Sequence, residues 1–166
     1  MNTPKVLIIM GSDSDLPNMK KTQTILLQFG VECSIRISSA HRTPEITKEI
    51  ITSAEKQGYS LIIAAAGLAA HLPGVCASYT TLPVIGVPME NGPLSGLDAL
   101  YSIVQMPPGI PVGTMAIGAA GAANAAHYAV QILALRYPDL SQKITAYREK
   151  IKNDVMQKDS ALRNNL

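Results

Sequence analysis

The 166-residue chain has no tryptophan, one phenylalanine and six tyrosines. That leaves it without the stacked rings on which single-stranded nucleic-acid binders rely. Its net charge of +2 is too small for a protein that neutralises a phosphate backbone. The only two cysteines, Cys33 and Cys76, stand far apart in apolar segments without CxxC spacing, and read as buried free thiols of a reducing compartment. No apolar run reaches membrane-spanning length without Gly, Pro or polar interruptions. Met1 to Met10 passes directly into a strand pattern, with no separate leader region or cleavage site. These absences predict a cytoplasmic protein that engages neither nucleic acid nor membrane. The three histidines are widely separated and form no HxxxH or His/Cys cluster, so no metal site is expected. The chain also lacks GxGxxG, GxxxxGK and GxSxG, which disfavours a dinucleotide site, a P-loop and a nucleophile elbow.

Charge is missing locally as well. Between Lys56 and Arg136 there is no Lys or Arg, and the only acids are Glu90 and Asp98. Obligate interfaces are depleted of charge and resemble a core cut in half. This stretch therefore predicts burial against other copies of the chain, with the Ala- and Gly-rich helix from Gly118 as one contact. The basic residues from Arg136 onward are interspersed with acids and read as a solvated face.

What is present is globular: 47% hydrophobic residues, 12 Gly and 11 Pro. The length predicts a single domain over 1–166, with its core in 5–137 and an extra C-terminal helix over about 139–160. Lys5 to Met10 (KVLIIM) has the pattern of a strand buried on both faces. A helix with Pro17 near its start carries Met19, Ile25, Leu26 and Phe29 and stops at Gly30. Val31 to Ile37 alternates enough to lie nearer a sheet edge. Pro44 opens a helix whose Ile46, Ile50 and Ala54 are expected to cover the sheet. Ser60 to Ala66 is a third, buried strand, followed by a loop from Gly67 to Gly74. Leu82 to Val87 is a fourth strand, followed by a loop with Glu90 and Asn91 and a helix over Leu94 to Met106. A short fifth strand spans Val112 to Ile117, and helices follow over Gly118 to Leu135 and from near Asp139, the last with Leu140, Ile144, Tyr147, Ile151 and Val155 on one face. Strands alternating with helices predict an α/β fold, a three-layer sandwich on a five-stranded parallel sheet.

Chemistry concentrates in the strand-to-helix loops. Ser38 to Pro44 offers hydroxyls, an imidazole (His41) that can exchange a proton near neutral pH and a guanidinium (Arg42) suited to phosphate. Thr43 and Pro44 also suit a helix N-cap and first turn. Gly11-Ser12-Asp13-Ser14-Asp15 either caps its helix or cradles an anion with its hydroxyls and backbone N–H groups. His71 follows the third strand in an apolar loop, and His127 reads as a packed or interface residue.

Five ordered stretches carry a resemblance. Gly11-Ser-Asp-Ser-Asp15, Ser39-Ala-His-Arg-Thr-Pro44, Ala69-Ala-His-Leu-Pro-Gly74, Ser95 to Pro107 and Gly109-Ile-Pro-Val-Gly113 together resemble the N5-carboxyaminoimidazole ribonucleotide mutase family of purine biosynthesis, over about Val6 to Leu135. The resemblance implies a flavodoxin-like α/β/α fold, a homo-octamer and a reaction without metal or cofactor. In that reaction a carboxyl group leaves an exocyclic nitrogen as CO2 and re-attaches at ring C4. It implies His41 as the general acid/base, Ser12, Asp15 and Arg42 as ribonucleotide-binding residues, and Ser39 and His71 as further residues of the pocket. The chain departs from the family at Ala65 and Leu68, where a glycine-rich run is expected; glycine tolerates positive φ at such a place and leucine does not. A CO2-dependent aminoimidazole ribonucleotide carboxylase and a non-catalytic flavodoxin-type nucleotide-binding module are the alternative readings of the same loops.

Overall fold

Strands that are apolar on both faces need cover on both sides, and that requirement sets the layers here. The computed structural model describes residues 3–164. Strands β1 (Lys5–Met10), β3 (Leu61–Ala66) and β4 (Val84–Pro88) are buried at all but one of their positions, whereas β2 (Glu32–Ile37) is half-exposed. With β5 (Gly113–Thr114) they form one sheet in the order β2-β1-β3-β4-β5, every pair parallel. This is the doubly wound, flavodoxin-like order, with its topological switch between β1 and β3. The edge position expected of the second strand is therefore observed.

Alternation sorts the strand side chains onto two faces. Val6, Ile8, Met10, Ile63, Ala65, Ile85 and Val87 pack against helices α1 (Leu16–Gln28) and α5 (Gly118–Ala134). Leu7, Ile9, Ile62, Ala64 and Val84 pack against α2 (Pro44–Ala54), α3 (Leu72–Ser78) and α4 (Leu97–Val104). Gly86 lets α4 approach β4 this closely, because a Cβ there would stand 2.4 Å from Ile103 Cγ2. Helix α6 (Pro138–Asn164) lies along α5. His127 on α5 packs edge-on to Phe29 and stacks at 4.7 Å on Tyr147 of α6, and burial pushes its pKa down.

Several local expectations shift. The buried face of α2 is Thr47, Ile51 and Ala54, while Ile46 is exposed and Ile50 only half-buried. The helix is also tied down on that face: Ser38 Oγ lies 2.7 Å from Thr47 Oγ1, which gives the buried Thr47 hydroxyl a partner. Thr43 stands at the N-cap of α2 but does not cap it; its Oγ1 accepts from Ser39 N at 3.0 Å and so closes the preceding loop on itself. The loop expected up to Gly74 ends at His71, because Pro73 sits in the first turn of α3. β5 is only two residues long. Cys76 is buried, and its thiol is pushed up to about 12 by that burial, but Cys33 is only half-buried on the edge strand. Of the face expected on α6, Leu140 is buried, whereas Ile151 and Val155 are exposed.

Candidate active site

Open parallel sheets bind ligands beyond the carboxyl ends of their strands, at the switch point. Four loops leave the sheet there. The loops after β1, β2 and β3 carry Ser12 and Asp15, Ser39 to Arg42, and His71; the fourth, after β4, carries Asn91. They enclose a cleft of about 510 Å³. All six residues expected at the site (Ser12, Asp15, Ser39, His41, Arg42 and His71) line it. Asn91 lines it too and was not singled out from the sequence; its place in a polar loop directly after a buried strand was the available signal.

The β1 loop is shaped by its own hydroxyls. Ser12 is extended (φ −150°) and its Oγ accepts from the Ser14 backbone N–H, which turns the chain into α1. Asp15 follows and is only 3% exposed. Burial raises its pKa above the ordinary carboxylate value; hydrogen bonds from Asn91 Nδ2 (3.0 Å) and Ser14 Oγ (3.4 Å) act against that, and the charge of Asp13 adds to it. The β2 loop is tied to the β1 loop through Arg42, whose guanidinium donates to the Gly11 carbonyl at 3.1 Å. The Arg42 backbone N–H is held by Ser39 Oγ at 3.2 Å. A guanidinium has five N–H donors in a fixed fork, so this tether orients Arg42 and leaves donors for an anion. Arg42 is the only Lys or Arg lining the cleft among the described residues.

The two cleft histidines meet. His41 Nε2 lies 2.8 Å from His71 Nδ1, with the rings 4.9 Å apart and edge-on. Such a bond needs one N–H facing one lone pair. The residue expected as acid/base and the one expected only as part of the pocket thus form a pair.

Leu68 adopts φ +55° in the β3 loop, the left-handed conformation that costs an L-residue about 1–2 kcal/mol. Its side chain lies against Gly92, itself at φ +87°, where a Cβ would stand 2.3 Å from Leu68 Cδ2. The loop thus keeps the positive φ that glycine would supply, with a leucine in its place and a glycine opposite making the room. No group of three or more His, Cys, Asp or Glu able to hold a metal ion occurs among the described residues. No helix among them is long and apolar enough to cross a membrane.

The family model described as AIR carboxylase matches residues 5–154. The chain belongs to the AIR carboxylase family. Its relatives in that family include the N5-carboxyaminoimidazole ribonucleotide mutase of Thermotoga maritima, 52% identical over 159 residues that cover 96% of this chain and 92% of that one. The mutase of Pyrococcus abyssi is 55% identical over 149 residues, covering 90% of this chain and 84% of that protein. The crystal structure of Treponema denticola PurE superposes with a TM-score of 0.86 at 31% identity, covering 96% of this chain and 98% of that chain. AIR carboxylase membership thus rests on matches that span the sheet, the four loops and most of α6.

Proposed function

We propose that this protein is an isomerase of purine biosynthesis, which converts N5-carboxyaminoimidazole ribonucleotide to 4-carboxy-5-aminoimidazole ribonucleotide, with His41 as general acid/base. The observation that carries the reading is the paired His41 and His71 at 2.8 Å beside the tethered Arg42, in one cleft at the switch point. Relatives that bear the mutase name at above half identity support the substrate.

The chemistry needs one proton in and one proton out. The C–N bond to the exocyclic nitrogen breaks with its electron pair left on nitrogen, which takes a proton from His41 as CO2 departs. Ring C4, made electron-rich by that amine, then forms a bond to CO2, and the C4 hydrogen returns to His41 as the ring regains its aromaticity. Charge and atoms balance without a redox partner. A single imidazole can serve both halves because it exchanges a proton in the neutral range, and His71 Nδ1, 2.8 Å from His41 Nε2, gives that proton a hydrogen-bonded partner. Arg42 is assigned to the phosphate or a neighbouring anionic group, and Ser12, Asp15 and Ser39 to the remaining polar contacts of the ribonucleotide. Ala40, Ala66, Ala69 and Leu72 in the walls keep water from the trapped CO2.

The chain is further read as a cytoplasmic homo-octamer. Its two cysteines are free, as in a reducing compartment. Leu94, Leu97, Tyr101, Val104 and Leu135, all within the charge-poor stretch, are exposed on the single chain, as a surface covered by other copies would be. Sedimentation at micromolar protein checks this, and the mass of one chain would refute it. The activity is tested by comparing rates with the N-carboxylated ribonucleotide and with the uncarboxylated one plus bicarbonate. The proposal expects the first to be the faster substrate; the reverse order makes the protein a CO2-dependent carboxylase.

A further inference from the structure

The loop between β4 and α4 reaches the cleft through one polar side chain. Asn91 is separated from Asp15 by 76 positions, yet its Nδ2 donates to Asp15 Oδ1 at 3.0 Å. An ionised carboxylate only accepts, so the amide must present its nitrogen there. The amide is also confined from behind: a Cβ on Gly67 would stand 3.1 Å from Asn91 Nδ2 and crowd it. Gly92, at φ +87°, turns the chain directly after Asn91 and is covered by the Leu68 side chain. Met89, two residues earlier, is buried and anchors the other end of the turn. Asn91 is thus held between two loops with its donor aimed at a carboxylate that is itself 3% exposed.

We propose that Asn91 is a positioning residue for Asp15: it occupies Oδ1 and so presents the second carboxylate oxygen to the ribonucleotide. Among the described residues no protein group hydrogen-bonds Asp15 Oδ2. The only other partner of Oδ1 is the Ser14 hydroxyl at 3.4 Å, a long bond that cannot by itself fix the carboxylate. A charge-assisted bond at 3.0 Å can. The role assigned to Asp15 rests on the function proposed above; the contact with Asn91 does not.

Asn91 also favours the ionised carboxyl, against burial. The other charged or titratable groups about Asp15 are Asp13 on its own turn and, lining the same cleft, His41 and Arg42 from the β2 loop and His71 from the β3 loop. Glu90, beside Asn91, turns its carboxylate toward the start of α5, where a Cβ on Gly118 would lie 2.9 Å from it, and Lys20 and Lys21 on α1 are exposed.

The test uses Asn91→Leu, which keeps the bulk and deletes the donor, and Asn91→Gln, which keeps a donor. The full-length assembly is labelled with 13C at aspartate carboxyls, and the Asp15 resonance, identified by its loss in Asp15→Asn, is titrated by NMR. In Asn91→Leu the Asp15 midpoint moves up, and KM rises about tenfold, the smaller part of what a charge-assisted hydrogen bond is worth, while kcat stays within about threefold. The acid limb of kcat/KM moves up with the midpoint, and Asn91→Gln recovers most of both changes. If Asn91→Leu does not fold, Asn91→Ala, which also lacks the donor, is read in its place. An Asp15 midpoint that stays put, or a KM that stays put while the midpoint moves, overturns the proposal. If the unaltered protein does not turn over the N-carboxylated ribonucleotide, the function above fails. In that case the Asp15 titration and the dissociation constant of the uncarboxylated ribonucleotide still decide the role of Asn91.

Discussion

The strands and the loops that leave them are one residue apart and obey opposite rules. Within β1, β3 and β4 every buried side chain is apolar, and the two clusters they build are close-packed against five helices. Just past their carboxyl ends the chain buries the Asp15 carboxylate, holds Leu68 at a positive φ and sets two imidazoles against each other. The buried carboxylate and the positive φ each cost stability where they stand, and such costs persist at sites whose geometry is imposed by rigid surroundings. The lesson is a division of labour: the sheet supplies the free energy that the rim spends on a binding geometry. Substitutions in the two regions should therefore separate stability from activity.

The largest effect is expected inside the sheet. Ile63 is fully buried on β3, and Ile63→Ala should cost about 2–5 kcal/mol of folding free energy, transfer and cavity terms together. Denaturant unfolding measures it, and kcat per folded molecule should be unchanged; a fall in kcat at full folding would break the division. Next comes His41, which is exposed and lies outside both apolar clusters. His41→Asn should retain ribonucleotide binding and an unfolding midpoint near that of the parent, while turnover drops by about 10²-fold or more, as for loss of a positioned acid/base. Near-normal turnover at several pH values would move the proton transfer to His71.

The smallest effect is the most discriminating, because its sign reverses. Burial holds the Asp15 carboxyl above its ordinary 3.8. The native state therefore keeps that proton longer than the unfolded chain as pH rises. Stability falls from 3.8 up to the raised native value, and the penalty is complete above it. Asp15→Asn carries no such charge and keeps an oxygen for Asn91. It should be more resistant to denaturant than the parent at neutral pH, with the gap closing as pH falls from the raised native value to 3.8, and should bind the ribonucleotide less well. A variant less stable than its parent at neutral pH would mean that the rim adds to stability, contrary to the comparison.

Much of this was readable in advance, for local reasons. The runs KVLIIM and SLIIAAA announce doubly covered strands through composition alone, and Pro44 and Pro17 mark helix starts because proline loses nothing in a first turn. The six expected site residues share one cleft because each directly follows a strand, and parallel strands all end at the same rim. Of the stripe expected on α2, Ala54 is buried as read, while Ile46 and Ile50 give way to Thr47 and Ile51 one position on, since both sets satisfy the helical period. The second set includes the Ser38–Thr47 contact, between residues on different elements.

The amino-acid sequence by itself determined the alternation of elements, the apolar interior, the edge character of β2 and the polar loops that supply the chemistry, because periodicity, proline and glycine act over a few residues. Only the tertiary structure decided which loops meet. β2 and β3 are separated in the sheet by β1 alone, so their loops converge over the switch point and bring His41 to His71 across 30 positions. The loop after β4 lies one strand further on and reaches Asp15 through Asn91. Such pairs depend on strand order, which is set by the packing of the whole sheet and leaves no mark in the spacing of the residues concerned.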